Sequence, residues 1–161
     1  MVHTSDTDSP PQHDILDVAN WFLSKSPLQH KKLQKLCYYA VSWHYTLLDS
    51  TICIRDEFQA WIHGPVSPPL FSEYKSYGWV PIPQIAENIP QFSDASVEVL
   101  DFVWESYGDL TQFQLENLTH SEPPWQEARG SLPEDFKSTA VISVDIMKEF
   151  YRELFEESQN D

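Results

Sequence analysis

The chain has 161 residues, 41% hydrophobic and 14% aromatic, which fits one domain with a substantial core and excludes global disorder. Its formal charge is −15, and the imbalance lies late: residues 1–80 hold eight acids against six bases, residues 81–161 seventeen against four. A nucleic-acid binder needs a basic footprint to release counterions from phosphates, so direct binding to DNA or RNA is disfavoured. An acidic half either keeps the protein soluble or suits a basic protein partner, whose approach it speeds.

No apolar run approaches the roughly 18–20 residues needed to span a bilayer. The start, MVHTSDTDSPPQHD, has neither a basic n-region nor an apolar h-region. Cys37 and Cys53 make no disulfide framework. The expectation is a cytoplasmic protein with free thiols and no membrane contact.

Residues 1–12 are polar and proline-bearing and read as a flexible tail, leaving 13–158 as one domain. From Asp14, the residues Ile15, Val18, Ala19, Phe22 and Leu23 form a single helical stripe. Ser26-Pro27 stops that helix and opens a second, with Ser as N-cap and Pro at the first helical position. The second helix, about 27–48, is apolar so far around that it is expected to be the central one. Thr51–Ile54 and Phe58–Ile62 are rich in β-branched and aromatic residues and flank Arg55-Asp56-Glu57, which predicts a small hairpin or two short extended pieces.

A short helix follows over about 69–77, with Gly78 at its end. Residues 79–92 carry Pro81, Pro83 and Pro90 and read as an ordered loop. A helix capped near Ser93 runs to Tyr107, and Thr111 with Gln114 forms a capping box that opens another. Pro123-Pro124-Trp125 begins a helical turn that Gly130 ends, and Ser143 caps a last amphipathic helix. The predicted architecture is mainly α: a compact single helical domain with a small two-stranded β element.

The densest motif is Ala60-Trp61-Ile62-His63-Gly64-Pro65-Val66-Ser67-Pro68-Pro69. Glycine permits positive φ, proline fixes φ and removes donors, and residues before proline are driven extended. The motif therefore reads as a rigid corner leading out of a strand, with Trp61 in the core; a partner-binding surface is the other reading. Thr119–Trp125 also has two readings. In one, His120 meets the last helix carbonyls and Trp125 plugs the core. In the other, it is an aromatic anchor with a polar rim.

Bond-making chemistry finds little support. Cys37 and His44 sit seven apart, about 10 Å along a helix, too far for two ligands of one zinc ion. His44, on the apolar stripe, reads as a core histidine bonding a neighbour. Cys37 lies mid-helix, where an enclosed thiol is inert. Four glycines leave no phosphate-binding loop, dinucleotide fingerprint or nucleophile elbow. Neither catalysis nor a metal or cofactor is expected.

Three blocks, in order, resemble the Panacea antitoxin domain, also described as the phage-associated GepA-like family. The first is Leu33-Gln34-Lys35-Leu36-Cys37-Tyr38-Tyr39-Ala40, continuing to Trp43-His44. The second is Ala60-Trp61 with His63-Gly64-Pro65-Val66, then Tyr74 and Tyr77-Gly78. The third is Leu118-Thr119-His120 with Pro124-Trp125, preceded by Val103-Trp104 and Tyr107-Gly108. Cys37 stands where an apolar residue is usual, and His63 where Lys or Arg is more familiar.

The resemblance implies an antitoxin, often encoded beside its toxin in prophages, that neutralises a cognate protein toxin by direct contact. The implied toxins are diverse and include alarmone-synthetase-like enzymes that attack translation. The alternative it implies is a protease adaptor that delivers its partner to a cellular protease. Matched to the family pattern and its expected surface, the candidate partner contacts are His63, Pro65, Tyr77, Trp79, His120, Glu122 and Trp125.

Overall fold

Helices start where a side chain can accept an otherwise unpaired N–H, and most starts of this chain follow that rule. A computed structural model describes residues 12–160; the tail expected over 1–12 lies, but for Gln12, outside the described residues. Helix α1, Ile15–Leu23, opens on Asp14, whose carboxylate accepts from Leu16 while the Asp17 carboxylate accepts from the Asp14 N–H at 2.9 Å. Arg55 grips the same Asp14 carboxylate through two nitrogens, at 2.8 and 2.7 Å. That guanidinium holds the Asp14 carboxyl below its ordinary range.

Helix α2 runs His30–Leu48, three residues shorter at its start than Ser26-Pro27 predicts. Leu28 is the reason. Its N–H donates to the Ile82 carbonyl at 3.1 Å, and its carbonyl accepts from the Ile82 N–H at 2.8 Å. The pairing pins residues 27–29 extended and anchors the proline-rich loop 79–92.

Every residue of α2 from Leu33 to His44 is buried, as the central position requires. It packs against α4, Asp94–Tyr107, and α7, Val144–Gln159, and also touches α1 and α5, Gln112–His120. Aromatic contacts fill the gaps: Tyr39 stacks on Tyr107 at 3.9 Å, and the Trp43 indole donates to the Tyr107 hydroxyl at 3.0 Å. His44 bridges the Ser50 carbonyl at 2.6 Å and the Ser96 hydroxyl at 2.8 Å, the role of a satisfied core histidine. Cys37 and Cys53 are buried free thiols whose pKa values burial raises.

The β element differs from the predicted pairing. Strand β1, Gln59–Trp61, pairs antiparallel with β2, Gly64–Val66, in the register Gln59↔Val66, Ala60↔Pro65, Trp61↔Gly64. The rigid corner is thus the turn and second strand of the hairpin itself. Pro65 leaves no gap in the ladder, because the opposing Ala60 N–H points to the other edge, onto the Ala140 carbonyl at 2.8 Å. Ile54 joins the N-terminus instead, accepting from Ile15 and donating to His13.

Ser67 then caps α3, Pro68–Tyr74, which runs into a 3₁₀ turn, Lys75–Tyr77, ending at Gly78. The capping box predicted at Thr111 and Gln114 is present, with bonds of 3.1 and 2.8 Å. Helix α6, Pro123–Arg129, ends at Gly130, and Ser143 caps α7. Seven α-helices and one hairpin make up the described residues, and none of the helices is long and apolar enough to cross a membrane.

Candidate functional site

The geometry of the site begins at the hairpin tip. Ile62 and His63 form the turn, and Gly64 takes the positive φ of +116°. A Cβ there would sit 2.9 Å from Lys35 Cε and 3.0 Å from Thr119 Oγ1. Gly64 therefore serves both the backbone and the approach of α2. Replacing it with Ala is expected to cost about 2 kcal/mol, lowering the melting temperature by roughly 4–8 °C; an unchanged thermal midpoint would contradict the packing.

Gln34 fixes the corner that follows. Its amide nitrogen donates to the Ser67 carbonyl at 3.0 Å, and its amide oxygen accepts from the Ser67 N–H at 2.8 Å. This two-point clasp mimics a strand pair and aims α3. One helical position later, Lys35 lies 2% exposed beneath the hairpin. Burial brings its pKa down to about 8, with the Glu116 carboxylate acting in the opposite sense.

Lys35 and Gln34 help line a pocket of about 360 Å³ between α2, the hairpin, α3 and the loop after α6. Trp61 and Phe71, with ring centroids 5.0 Å apart, supply aromatic wall. Trp61 is thus half-buried pocket lining and not the core residue expected of it. His63 stands at the rim, its side chain 60% exposed, with Nδ1 3.1 Å from a Glu116 carboxylate oxygen.

Beside the pocket, Trp79 and Val80 are 65% and 64% exposed, and Tyr77 is partly exposed. Lys31 joins the two regions: it lines the pocket, and its ammonium lies 5.2 Å from the Trp79 ring centroid. Gln29 secures the same segment by donating to the Trp79 carbonyl at 3.1 Å. His63 thus stands at the pocket rim, and Trp79, with Tyr77 two residues before it, is linked to the pocket wall through Lys31.

The other candidate residues lie deeper. Pro65 is buried in β2. Trp125 is 3% exposed, donates its indole N–H to the Trp61 carbonyl at 2.8 Å, and stacks under His120 at 3.9 Å. His120 thus packs on Trp125, and its buried Nε2 has no partner among the described residues. Glu122 is 5% exposed and accepts from the Tyr39 and Tyr151 hydroxyls at 2.9 and 2.8 Å. Burial pushes its carboxyl up to about 7. Pro65, Glu122 and Trp125 are enclosed, so a partner reaches them only through the side chains they support.

Sequence reasoning passed over three residues. Lys35 stands close to Lys25, Lys31 and Lys32 in the sequence, yet the four diverge. Lys25 covers the Trp21 ring, Lys31 the Trp79 ring, Lys32 donates to the Gly108 carbonyl, and Lys35 is enclosed. The available signal was Gln34-Lys35 standing between Leu33 and the apolar run Leu36–Val41. Arg129 was the third: buried, it donates to the carbonyls of Ala60 and Pro133, each at 2.9 Å, and to that of Phe136. Nothing local marked it.

The family model described as "Antitoxin SocA-like, Panacea domain" matches residues 33–126, more than half of the chain. The chain belongs to this family. No curated protein and no solved structure matches it. Within the Panacea region fall Gln34, Lys35, the hairpin, α3 and the Tyr77–Val80 segment. The remaining pocket residues, His30, Lys31 and 137–139, lie outside it, as does α7. Among the described residues no cluster of three or more His, Cys, Asp or Glu is placed to hold a metal ion.

Proposed function

We propose that this Panacea-domain protein is an antitoxin that neutralises a cognate protein toxin by direct contact, through the face bearing Tyr77, Trp79, Val80 and His63. One observation carries the reading beyond family membership: two adjacent large apolar residues, Trp79 and Val80, stand about two-thirds exposed on a loop anchored by Gln29 and Ile82. Exposed aromatics held on an ordered support are the usual anchors of protein recognition. Family membership supports a toxin as that partner. The acidic surface of α7, with Glu149, Glu153, Glu156 and Glu157, adds long-range attraction for a basic one.

Co-expression with the product of the neighbouring gene tests this. Rescue of growth and a co-purifying complex are expected. Trp79→Ala is expected to weaken that complex about thirtyfold, the loss typical of a central aromatic anchor, while leaving the unfolding midpoint within experimental error. Unchanged affinity in this variant would remove the face from consideration. A toxin whose lifetime shortens, without a stable complex, would replace neutralisation by delivery to a protease.

A further inference from the structure

The wall of the pocket beneath the hairpin includes a buried lysine, Lys35, that forms no ion pair among the described residues. Glu116, the carboxylate whose field reaches it, is already engaged with His63. An unpaired ammonium is costly to bury, and an apolar residue of similar length would fill the same space without that cost. Gly64 goes further, giving up a side chain where the Lys35 stem passes.

A second observation points the same way. His30, also on the pocket wall, has a buried Nδ1 with no partner among the described residues. The wall includes Lys31 and Lys137 but no Asp or Glu, in a chain where acids outnumber bases twenty-five to ten. Its remaining surface is largely apolar, with Trp61, Val66 and Phe71 prominent. The volume, about 360 Å³, falls in the range of roughly 300–1,000 Å³ typical of small-molecule sites.

From these features we infer that the pocket is a binding site for a small apolar monocarboxylate, its acid group against Lys35 and its hydrocarbon body between Trp61 and Phe71. The carboxylate gains a charge-assisted bond in a place largely shielded from water. The apolar body covers the aromatic wall. This assignment does not depend on toxin binding, and its test uses the isolated protein.

Phenylpropionate is the probe, with phenylpropionamide as its uncharged counterpart and inorganic phosphate as an anion without an apolar body. Each is titrated into the protein at about pH 7 and followed through protein NMR shifts and calorimetry. Saturable binding of the acid is expected, at least about tenfold tighter than the amide, with no comparable binding of phosphate. Lys35→Met should weaken the acid to the level of the amide and leave the amide unchanged. Equal binding of acid and amide, undiminished binding by Lys35→Met, or no binding of the acid would each overturn the inference. Should the variant not fold, the Lys35 side-chain resonances of the natural protein decide: they must move with the acid and not with the amide.

Discussion

Trp125→Ala is expected to destabilise the protein by about 3–5 kcal/mol, the range for deleting a fully buried aromatic ring. The ring does four things at once. It fills space at 3% exposure, donates to the Trp61 carbonyl, lies under His120, and carries the Arg129 guanidinium 4.8 Å from its centroid. Domains of this kind are stable by only about 5–15 kcal/mol, so the variant should lose a large part of its stability. Trp125→Phe separates the contributions: it keeps much of the packing but removes the indole donor to the part-buried Trp61 carbonyl, for about 1 kcal/mol. Urea denaturation followed by circular dichroism measures both. A loss below about 1 kcal/mol for the alanine variant would mean that the ring does not join α6 to the hairpin.

Glu122→Gln is expected to make the protein more stable at high pH and to flatten part of its pH dependence. Burial holds the Glu122 carboxyl at about 7 against an ordinary 4.5, even though the Tyr151 and Tyr39 hydroxyls favour the charged form. The folded state thus binds this proton more tightly than the unfolded state does. Its contribution to stability is whole below about pH 4.5, declines between about 4.5 and 7, and is gone above about 7. The difference corresponds to about 3 kcal/mol.

Gln keeps an oxygen for both tyrosines but has no charge to bury, so the variant should overtake the natural protein as pH rises through that window. Other groups titrate in the opposite sense. Burial lowers the pKa values of His30, His44 and His120, and Arg55 lowers that of Asp14; their contributions weaken as pH falls. The quantity to measure is therefore the stability difference between the two proteins at about pH 5 and about pH 8. A difference that does not change with pH would show that Glu122 is ionised alike in folded and unfolded chains.

How far the sequence could be read depended on range. The capping box at Thr111 and the caps at Ser93 and Ser143 were legible because donor and acceptor lie within three residues of each other. The start of α2 was not, because Leu28 answers to Ile82 and not to its own helix signal. The motif around Gly64 was read as leading out of a strand, as it does, but not as that strand's own partner. β-branched composition marks an extended segment without saying what it pairs with.

Among the candidate contacts, Trp79 could be placed near the surface from its proline-broken loop. Glu122 could not be placed, since acids are usually exposed and its tyrosine partners come from sequence separations of 83 and 29 residues.

By itself the sequence determined the helices, the enclosed central segment and the family, since periodicity, capping and motif order are all properties of neighbouring residues. Only the tertiary structure decided that Lys35 is sealed against Gly64, that Trp61 lines a pocket while Trp125 fills the core, and that Glu122 lies among tyrosines. The physical reason is that burial, and with it the energy of a charge or a ring, is set by groups that the chain brings together from dozens of residues away.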